Sequence, residues 1–338
     1  MNVQPLLAWL EIESTTGAEE KFLRRLEEEL AGLGLAVSRQ AVERHRWNVF
    51  AASPGVEPEI IFCTHVDTVP PFFGPRIDDD GTIRARGACD TKGGIFAMFE
   101  AWKLLSEEDR SRTGFLFVVG EEVDHVGAIV AGREAYPRLR ATILGEPTRN
   151  HLAVGQKGIL KGTLCCTGKA GHSAFPEVGF SAVHKLVSSL DDLLAHEWPS
   201  DPELGPTTLN VGTIRGGVAA NVFAPDAEAQ ILLRATHSVD RLLAEAQRIV
   251  GDRGEFRVDA RNEPTKLLAW ADRFATDVVP FNTDAPYLNH IAPVILVGPG
   301  DIRTAHSPDE HITPAAISEG IELYRTIASG LLSGELKT

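Results

Sequence analysis

The spacing of apolar residues along the chain changes repeatedly between a strand-like and a helix-like period. Short apolar runs that are typical of buried strands lie near residues 35–42, 47–53, 59–67, 114–122 and 141–147. Apolar residues recur at helical spacing in three further stretches, at 22–30, 93–105 and 314–333. Strands that alternate with helices in this way predict an α/β fold whose mixed sheet contains some parallel strands.

The first of these helices has recognisable end signals. Thr16-Gly-Ala-Glu19 has the form of a capping box, in which the side chains of the first and fourth residues satisfy main-chain N–H groups. Gly32 and Gly34 are candidates for its C-terminal end. We therefore predict a helix that begins just after Thr16 and ends at Gly32 or Gly34.

The middle of the chain follows a different pattern. Residues 157–263 predict, in order, a strand, a helix, two strands, a second helix and a last strand. About 100 residues of this kind are enough for a separate domain. We predict a catalytic domain from 1–156 and 264–338, with an inserted α+β domain at 157–263.

Composition narrows the classes of function. The chain has 338 residues and a net charge of -14, which argues against nucleic acid or an anionic membrane as a partner. Part of this acidity can belong to a site for divalent cations, and the rest is a solubilising surface. The four cysteines show no CxxC spacing, and no signal peptide or long apolar stretch is evident, so we expect a cytoplasmic protein with reduced thiols.

Three of the predicted strands end in groups that can bind metals or move protons. The runs are THVD at 64–67, VGEE at 119–122 and LGEP at 144–147. Ligands of open α/β sheets collect at the carboxyl ends of strands, so these groups are expected to meet. His65 and Asp67 point to the same side of an extended chain, which allows Asp67 to hold the far nitrogen of the His65 ring.

Two further acidic positions allow more than one interpretation. Asp90, in the glycine-rich run RGACDTKGG, can bridge two cations or act as the N-cap of the next helix. Adjacent Glu121 and Glu122 repel each other unless a cation lies nearby. The pair can be a solvated surface pair, like Glu107-Glu108, but the preceding apolar run favours a buried strand end. There, one glutamate would bind metal while the other faces the substrate.

The charges of the candidate ligands fit two divalent ions. Asp90, Glu122 and Glu146 carry three negative charges, and a bridging hydroxide brings the total to four, which balances two divalent cations. A mixed imidazole and carboxylate set suits zinc, with cobalt or manganese as substitutes.

These motifs resemble, in order, those of a zinc exopeptidase and deacylase family. The matching runs are THVDTVP, RGACDTKGG, GEE, GEP and GPGDIRTAHSPDE. The family includes acetylornithine deacetylase, succinyl-diaminopimelate desuccinylase, aminoacylase and glutamate carboxypeptidases. The resemblance covers essentially the whole chain. It implies a dinuclear zinc-hydrolase catalytic domain and an inserted lid and dimerisation domain that forms a homodimer.

The resemblance also implies a role for individual residues. His65 and Glu146 would complete one metal site, Glu122 and His306 the other, and Asp90 would bridge both. Glu121 would be the general base, with Asp67 supporting His65. In the inserted domain, the resemblance assigns an assisting or substrate-binding role to His172, Asn221 and Arg234. It further implies a cis peptide bond between Asp90 and Thr91.

The activity implied is hydrolysis of an N-acyl amino acid. The last motif is most similar to acetylornithine deacetylase, which implies N-acetylornithine deacetylation in arginine biosynthesis. Desuccinylation of succinyl-diaminopimelate, a dipeptidase or N-acyl-lysine hydrolase activity, and a non-catalytic binding protein of the same fold are the alternatives. Two positions depart from the family pattern: Gly120 precedes the Glu pair, and Asp124-His125 follow it where a glycine is usual.

Overall fold

The computed structural model describes residues 1–338. Helices occur in every part of the chain, between the strands. In chain order the α-helices are α1 (Gln4–Leu10), α2 (Glu20–Gly32), α3 (Lys92–Leu104), α4 (Glu107–Ser111), α5 (Val126–Ala131), α6 (Ala182–Ala195), α7 (Val239–Val250), α8 (Ala285–Leu288) and α9 (Pro314–Ser333). A 3-10 turn at Gly251–Arg253 follows α7. None of these helices combines the length and apolar character that crossing a membrane requires.

The strands fall into one large sheet and several smaller ones. In chain order they are β1 (Ala36–Glu43), β2 (Arg46–Ala52), β3 (Ile60–His65), β4 (Arg76–Ile77), β5 (Ile83–Arg84), β6 (Thr113–Val118), β7 (Ala141–Leu144), β8 (Leu152–Gln156), β9 (Gly158–Thr167), β10 (Ser200–Asp201), β11 (Gly205–Pro206), β12 (Thr208–Gly216), β13 (Asp226–Ala235), β14 (Glu255–Asn262), β15 (Thr265–Lys266), β16 (Thr276–Val279), β17 (Val294–Leu296) and β18 (His311–Ile312).

The chain divides into two compact units. The first contains residues 1–154, 267–277 and 283–338, and the second contains residues 155–266 and 278–282. The short segment 278–282 belongs to the second unit, although the sequence placed it outside the predicted insertion. The predicted boundaries of the inserted domain, at residues 157 and 263, stay a prediction.

The first unit is built on a six-stranded mixed sheet. Its strand order is β1-β2-β6-β3-β7-β17, in which β6, β3, β7 and β17 are parallel and the β1–β2 and β2–β6 pairs are antiparallel. Every residue of β3, β6 and β7 is buried, as expected for parallel strands that are covered on both faces. The predicted mixed α/β fold is confirmed.

Helix α2 shows how apolar spacing and a tertiary contact together set one element. Its residues at 22, 23, 26 and 30 are fully buried, as the helical period requires. The predicted capping box is wrong, because no side chain caps this helix. The Thr16 hydroxyl instead donates to Asp67 Oδ2 at 2.8 Å. Glu19 is buried and forms an ion pair with Arg46 at 2.7 Å.

The second unit contains a four-stranded antiparallel sheet of order β12-β13-β9-β14. Burial alternates along β9 and β13, which is typical of a sheet with one face against a core. Helices α6 and α7 bury apolar residues in the same cluster as these strands. Strands β12 and β14 form the two edges of the sheet.

Candidate metal centre

The carboxyl ends of three neighbouring parallel strands bring the predicted ligands together. His65 is the last residue of β3, Glu146 lies two residues beyond β7, and the Glu121–Glu122 pair follows β6. Strands β6, β3 and β7 are adjacent in the sheet, so their ends share one edge. This is the edge at which ligands of open α/β sheets bind.

His65 is fixed through both ring nitrogens. Its Nε2 lies 3.1 Å from Asp90 Oδ1, and its Nδ1 lies 2.9 Å from the main-chain carbonyl oxygen of Asp67. The Asp67 carboxylate is farther from Nδ1, at 3.6 Å. The expectation that this carboxylate holds the ring therefore needs correction, because the carbonyl of the same residue makes the close contact. An Nδ1–H that donates to this carbonyl leaves Nε2 free to bind a cation.

The Asp67 carboxylate instead organises the loop that carries the glutamate pair. Oδ1 accepts from the N–H groups of Gly120 at 2.9 Å and Glu121 at 3.1 Å, and Oδ2 accepts from that of Glu122 at 3.2 Å. Burial alone would raise the pKa of Asp67, but contacts with His65, Thr16 and these N–H groups lower it overall. Asp67 is thus an ionised anchor for the loop.

The glutamate pair lies in a turn, whereas the sequence predicted an extended strand end. Strand β6 ends at Val118, and Gly120 has φ +82°, which reverses the chain. A Cβ on Gly120 would lie 2.9 Å from atoms of both Asp124 and Val126. The departure from the family pattern at Gly120 therefore has a local reason, since this tight turn leaves no room for a side chain.

Asp90 is held by a loop that wraps around a buried carboxylate. Glu310 Oε1 accepts from the N–H groups of Gly87 at 2.9 Å and of Cys89 and Asp90 at 3.3 Å each. Glu310 is also paired with buried Arg86. Asp90 is not an N-cap, because α3 is preceded by Thr91 in that position. The expected cis bond between Asp90 and Thr91 is confirmed.

Two groups of three side chains share Asp90. The first is His65, Asp90 and Glu146, and the second is Asp90, Glu122 and His306. Within each group one ligand atom per residue lies within 4.8 Å of the others. His306 Nε2 is 3.1 Å from Asp90 Oδ2 and 3.0 Å from Glu122 Oε1. Asp90 therefore offers one oxygen to each group, the arrangement that a bridging ligand needs.

The electrostatics of this cluster favour cations. Burial raises the pKa of Glu121 and of Glu146 well above the ordinary range. Oε1 of Glu146 is buried and has no hydrogen-bond partner. Hydrogen bonds to Asp90 and Glu122 raise the pKa of His306 to about 10. A buried carboxylate without a partner is costly, and this mixed ligand set fits divalent metal ions.

Sequence reasoning missed one acidic residue beside the cluster. Asp284 is buried, and its Oδ2 has no hydrogen-bond partner. Its charge adds to the rise of the pKa of Glu121 and Glu146. Oδ1 lies 2.9 Å from Nδ1 of His125. Asp284 lies next to a four-residue helix, so no apolar period pointed to it. The one sequence feature that could have indicated it is the polar pair Thr283-Asp284 shortly before Pro286.

The three predicted substrate-binding residues all lie in the second unit. His172 is exposed and contacts Phe175 with a ring-centroid distance of 5.7 Å. The carbonyl of Asn221 accepts from the N–H of Ser173 at 3.0 Å, so Asn221 is close to the His172 segment. Arg234 is half-buried in β13, and burial lowers its pKa. No carboxylate of the protein forms an ion pair with Arg234, which leaves its guanidinium available to a ligand.

Comparison with known proteins yields related sequences and folds. The sequence profile of Peptidase family M20/M25/M40 matches residues 61–330. A probable carboxypeptidase of Aspergillus terreus is 36% identical, over 94% of this chain and 83% of that protein. The structure of aminopeptidase PepT from Bacillus cereus matches with a TM-score of 0.78 at 20% identity, over 98% of both chains. A dinuclear metal-binding peptidase of the M20 family from Bacillus subtilis matches with a TM-score of 0.72 at 14% identity, over 97% of this chain and 96% of that one.

The fold, the ligand groups at the strand ends and the sequence match define a class of protein, the metal-dependent hydrolases of amide and peptide bonds. Within that class the family can be assigned from the sequence match, because the family profile spans well over half of the residues. The chain belongs to Peptidase family M20/M25/M40.

Proposed function

We propose that the protein hydrolyses the amide bond of an N-acyl amino acid whose α-carboxylate is free, with N-acetylornithine as the first substrate to test. The observation that carries this proposal is the pair of ligand groups that share Asp90, with Glu121 beside them. The ordered motifs, and above all the run that contains His306, support the N-acetylornithine assignment through their similarity to acetylornithine deacetylase.

The ligand set suggests how the chain would hold its metals. His65 and Glu146 would bind one ion, Glu122 and His306 the other, and Asp90 both. Two bound divalent ions, zinc in our proposal with cobalt or manganese as substitutes, supply carbonyl polarisation and an acidified water. The buried, unpartnered Oε1 of Glu146 supports this allocation.

Glu121 is the proposed general base. It is buried at the cluster edge, and its pKa is raised by burial and by the charges of Glu146, Asp284 and Glu122. A raised pKa suits a carboxylate that accepts a proton from the attacking water and then passes it to the leaving amine nitrogen. Asp67 would keep Glu121 in place through its main-chain N–H.

Recognition of the substrate carboxylate is assigned to the second unit. Arg234 has no carboxylate partner within the chain, and its fork of N–H donors matches a carboxylate. Asn221 would add an amide donor, and His172 would stabilise the oxyanion that develops on the carbonyl oxygen. Substrates that lack the free carboxylate should therefore bind poorly.

A second candidate is removal of the C-terminal amino acid from a peptide. It is favoured by the relative of Aspergillus terreus that is described as a probable carboxypeptidase. Both candidates cleave the same kind of bond, an amide whose nitrogen belongs to an amino acid with a free carboxylate. They differ in the size of the acyl part.

A substrate panel separates these candidates. It contains N-acetylornithine, the N-acetyl derivatives of citrulline, lysine and methionine, N-succinyl-diaminopimelate and short peptides, with the α-carboxamide of each best substrate as control. We expect the highest kcat/KM for N-acetylornithine and a large loss for its carboxamide. Faster cleavage of N-succinyl-diaminopimelate or of peptides would move the assignment to those classes. Equal rates for acid and carboxamide would refute carboxylate recognition.

The arginine assignment has its own test. Arg234→Met should raise KM for the free acid by about tenfold to a hundredfold, because a charge-assisted pair to a carboxylate is lost. Arg241→Met is the matched control, since Arg241 is an exposed arginine on helix α7 of the same unit. If both variants behave alike, Arg234 does not bind the carboxylate.

We also propose that two copies assemble through the second unit, with His172 completing the partner's site. Strands β12 and β14 leave two sheet edges, and Ile214 on β12 is 61% exposed. Such an edge can pair with a second copy around a two-fold axis. Mixing His172→Ala with Glu121→Gln chains should then restore activity toward half per mixed dimer. A monomeric protein, or no recovery after subunit exchange, would contradict this assembly.

A further inference from the structure

The loop that carries the glutamate pair is closed by His125, one of the two positions at which the sequence departs from the family pattern. The His125 N–H donates to the Gly120 carbonyl at 2.7 Å, and His125 has φ +58°. This left-handed conformation is uncommon for a residue with a side chain. A glycine could adopt this main-chain conformation without strain. The conformation of the loop therefore does not explain why an imidazole is present at this position.

The His125 ring is held between two neighbours. Its Nδ1 lies 2.9 Å from Asp284 Oδ1, and the ring centroid lies 5.3 Å from that of Tyr287. Only 13% of the side chain is exposed. A ring with these contacts has one orientation, and one edge of it faces the Glu121 carboxylate, whose Oε1 is 3.8 Å from Nδ1.

Asp284 provides a rigid support for this ring. It is 1% exposed, and its main-chain carbonyl accepts from the N–H groups of Tyr287 and Leu288 at 3.1 and 3.2 Å. Helices α5 and α8, which begin directly after His125 and Asp284, pack against each other. The His125–Asp284 contact therefore joins the glutamate loop to a fixed part of the first unit.

We propose that His125 is a positioning residue for Glu121. Buttressed by Asp284, the ring limits the positions that the Glu121 carboxylate can take and keeps it directed at the metal ligands. At 3.8 Å the ring nitrogen and the carboxylate oxygen are neighbours without a hydrogen bond, so the ring acts by contact. The proposal rests on Glu121 being the general base in the function proposed above.

Two variants separate the ring from the backbone. His125→Gly removes the ring and relaxes the positive φ. His125→Asn keeps a residue that tolerates this conformation and restores a donor for Asp284 close to the position of Nδ1. His45→Gly is the matched control, because His45 also has a positive φ of 62° and is exposed.

The expected result is a loss in turnover that does not come from binding or stability. His125→Gly should lower kcat by about tenfold to a hundredfold, the range that displacement of a reacting group by about 1 Å produces. KM and the two bound metals per chain should stay close to those of His45→Gly. The unfolding midpoint should fall, because buried Asp284 loses a hydrogen-bond partner, and rates are therefore measured well below it. His125→Asn should recover most of the lost kcat. Unchanged kcat in His125→Gly, loss of metal, or no rescue by asparagine would each overturn the proposal.

A double-mutant cycle shows whether the effect passes through Glu121. In the Glu121→Gln background, His125→Gly should cause little further loss, because the base it positions is already absent. Equal losses in both backgrounds would contradict positioning. If Glu121→Gln itself keeps normal turnover, the proposed function fails instead. Crystal structures of metal-free wild type and His125→Gly give an answer independent of activity: we expect a displaced or multiply placed Glu121 carboxylate, and an unmoved one would overturn the proposal.

Discussion

At the scale of single residues, two adjacent glutamates have different surroundings, which supports the different roles proposed for them. Glu122 Oε1 contacts the His306 ring at 3.0 Å and belongs to a ligand group. Glu121 lies 3.8 Å from His125 and also forms a group with His65 and Glu122, and burial raises its pKa well above the ordinary range. The sequence alone could indicate that one of the pair binds metal and the other moves protons. The assignment of Glu121 as the base and Glu122 as the metal ligand came only from the family resemblance. The alternation of side chains along a strand could not decide it, because both residues lie in a turn.

The first prediction concerns Glu121. Glu121→Gln keeps the size of the side chain but cannot accept a proton, so kcat should fall by roughly 10²–10⁴-fold, the usual contribution of general acid–base catalysis. Metal content should stay at two ions per chain. Glu107→Gln, at an exposed acidic pair, is the control. Near-normal turnover by the metal-loaded Glu121→Gln protein would show that the base lies elsewhere.

The second prediction concerns the two histidine ligands. His65→Ala and His306→Ala should each lose one metal and most activity, because each ring belongs to a different ligand group. Metal analysis after gel filtration measures the loss. His311→Ala should keep both ions, because His311 belongs to none of the ligand groups and its Nδ1 lies 2.7 Å from the Asp309 carbonyl. Retention of two ions by either ligand variant would refute the allocation.

At the scale of elements, the strands and long helices followed from the apolar pattern, while the loops between them did not. Parallel strands β3, β6 and β7 were predictable because most of their residues are apolar, and all of them are buried. The turn at the glutamate pair was not, because it depends on the Asp67 carboxylate accepting main-chain N–H groups from a distant segment. The capping box failed for the same reason, since Thr16 contacts Asp67.

The third prediction concerns the buried pair that supports the Asp90 loop. Arg86→Met leaves Glu310 buried without its cation, and removing one partner of a buried pair typically costs ~3–5 kcal/mol. Urea unfolding of the metal-free chain should show a loss of this order, together with weaker metal retention. Arg84→Met is the control, because Arg84 pairs with a more exposed Asp78. Equal losses in the two variants would contradict a special role for the Arg86–Glu310 pair.

At the scale of the whole molecule, the first unit concentrates ionisable groups that make the stability of the metal-free fold depend on pH. Glu121 and Glu146 have a raised pKa, so the folded metal-free chain binds more protons than the unfolded chain. The pKa of His65 is also raised, and that of His306 reaches about 10. Their stabilising contribution is present below the ordinary histidine pKa and is lost as pH rises.

The fourth prediction follows from these signs. The free energy of unfolding of the metal-free protein should decrease as pH rises from about 5.5 to about 9, because the folded chain keeps protons on these four groups that the unfolded chain has released. With saturating zinc the trend should reverse between about pH 5.5 and 7.5, since ligands must be deprotonated to bind metal. Urea unfolding across this range measures both. A metal-free protein that becomes more stable toward pH 9 would contradict the description of the cluster.

In the proposed function, amide hydrolysis needs two metal ions, bound by the groups that share Asp90. This requirement can be measured by titrating the metal-free protein with zinc and following the initial rate of N-acetylornithine cleavage. We expect the rate to rise to a plateau at two equivalents of zinc per chain. A plateau at one equivalent, or a rate that does not depend on added metal, would contradict it.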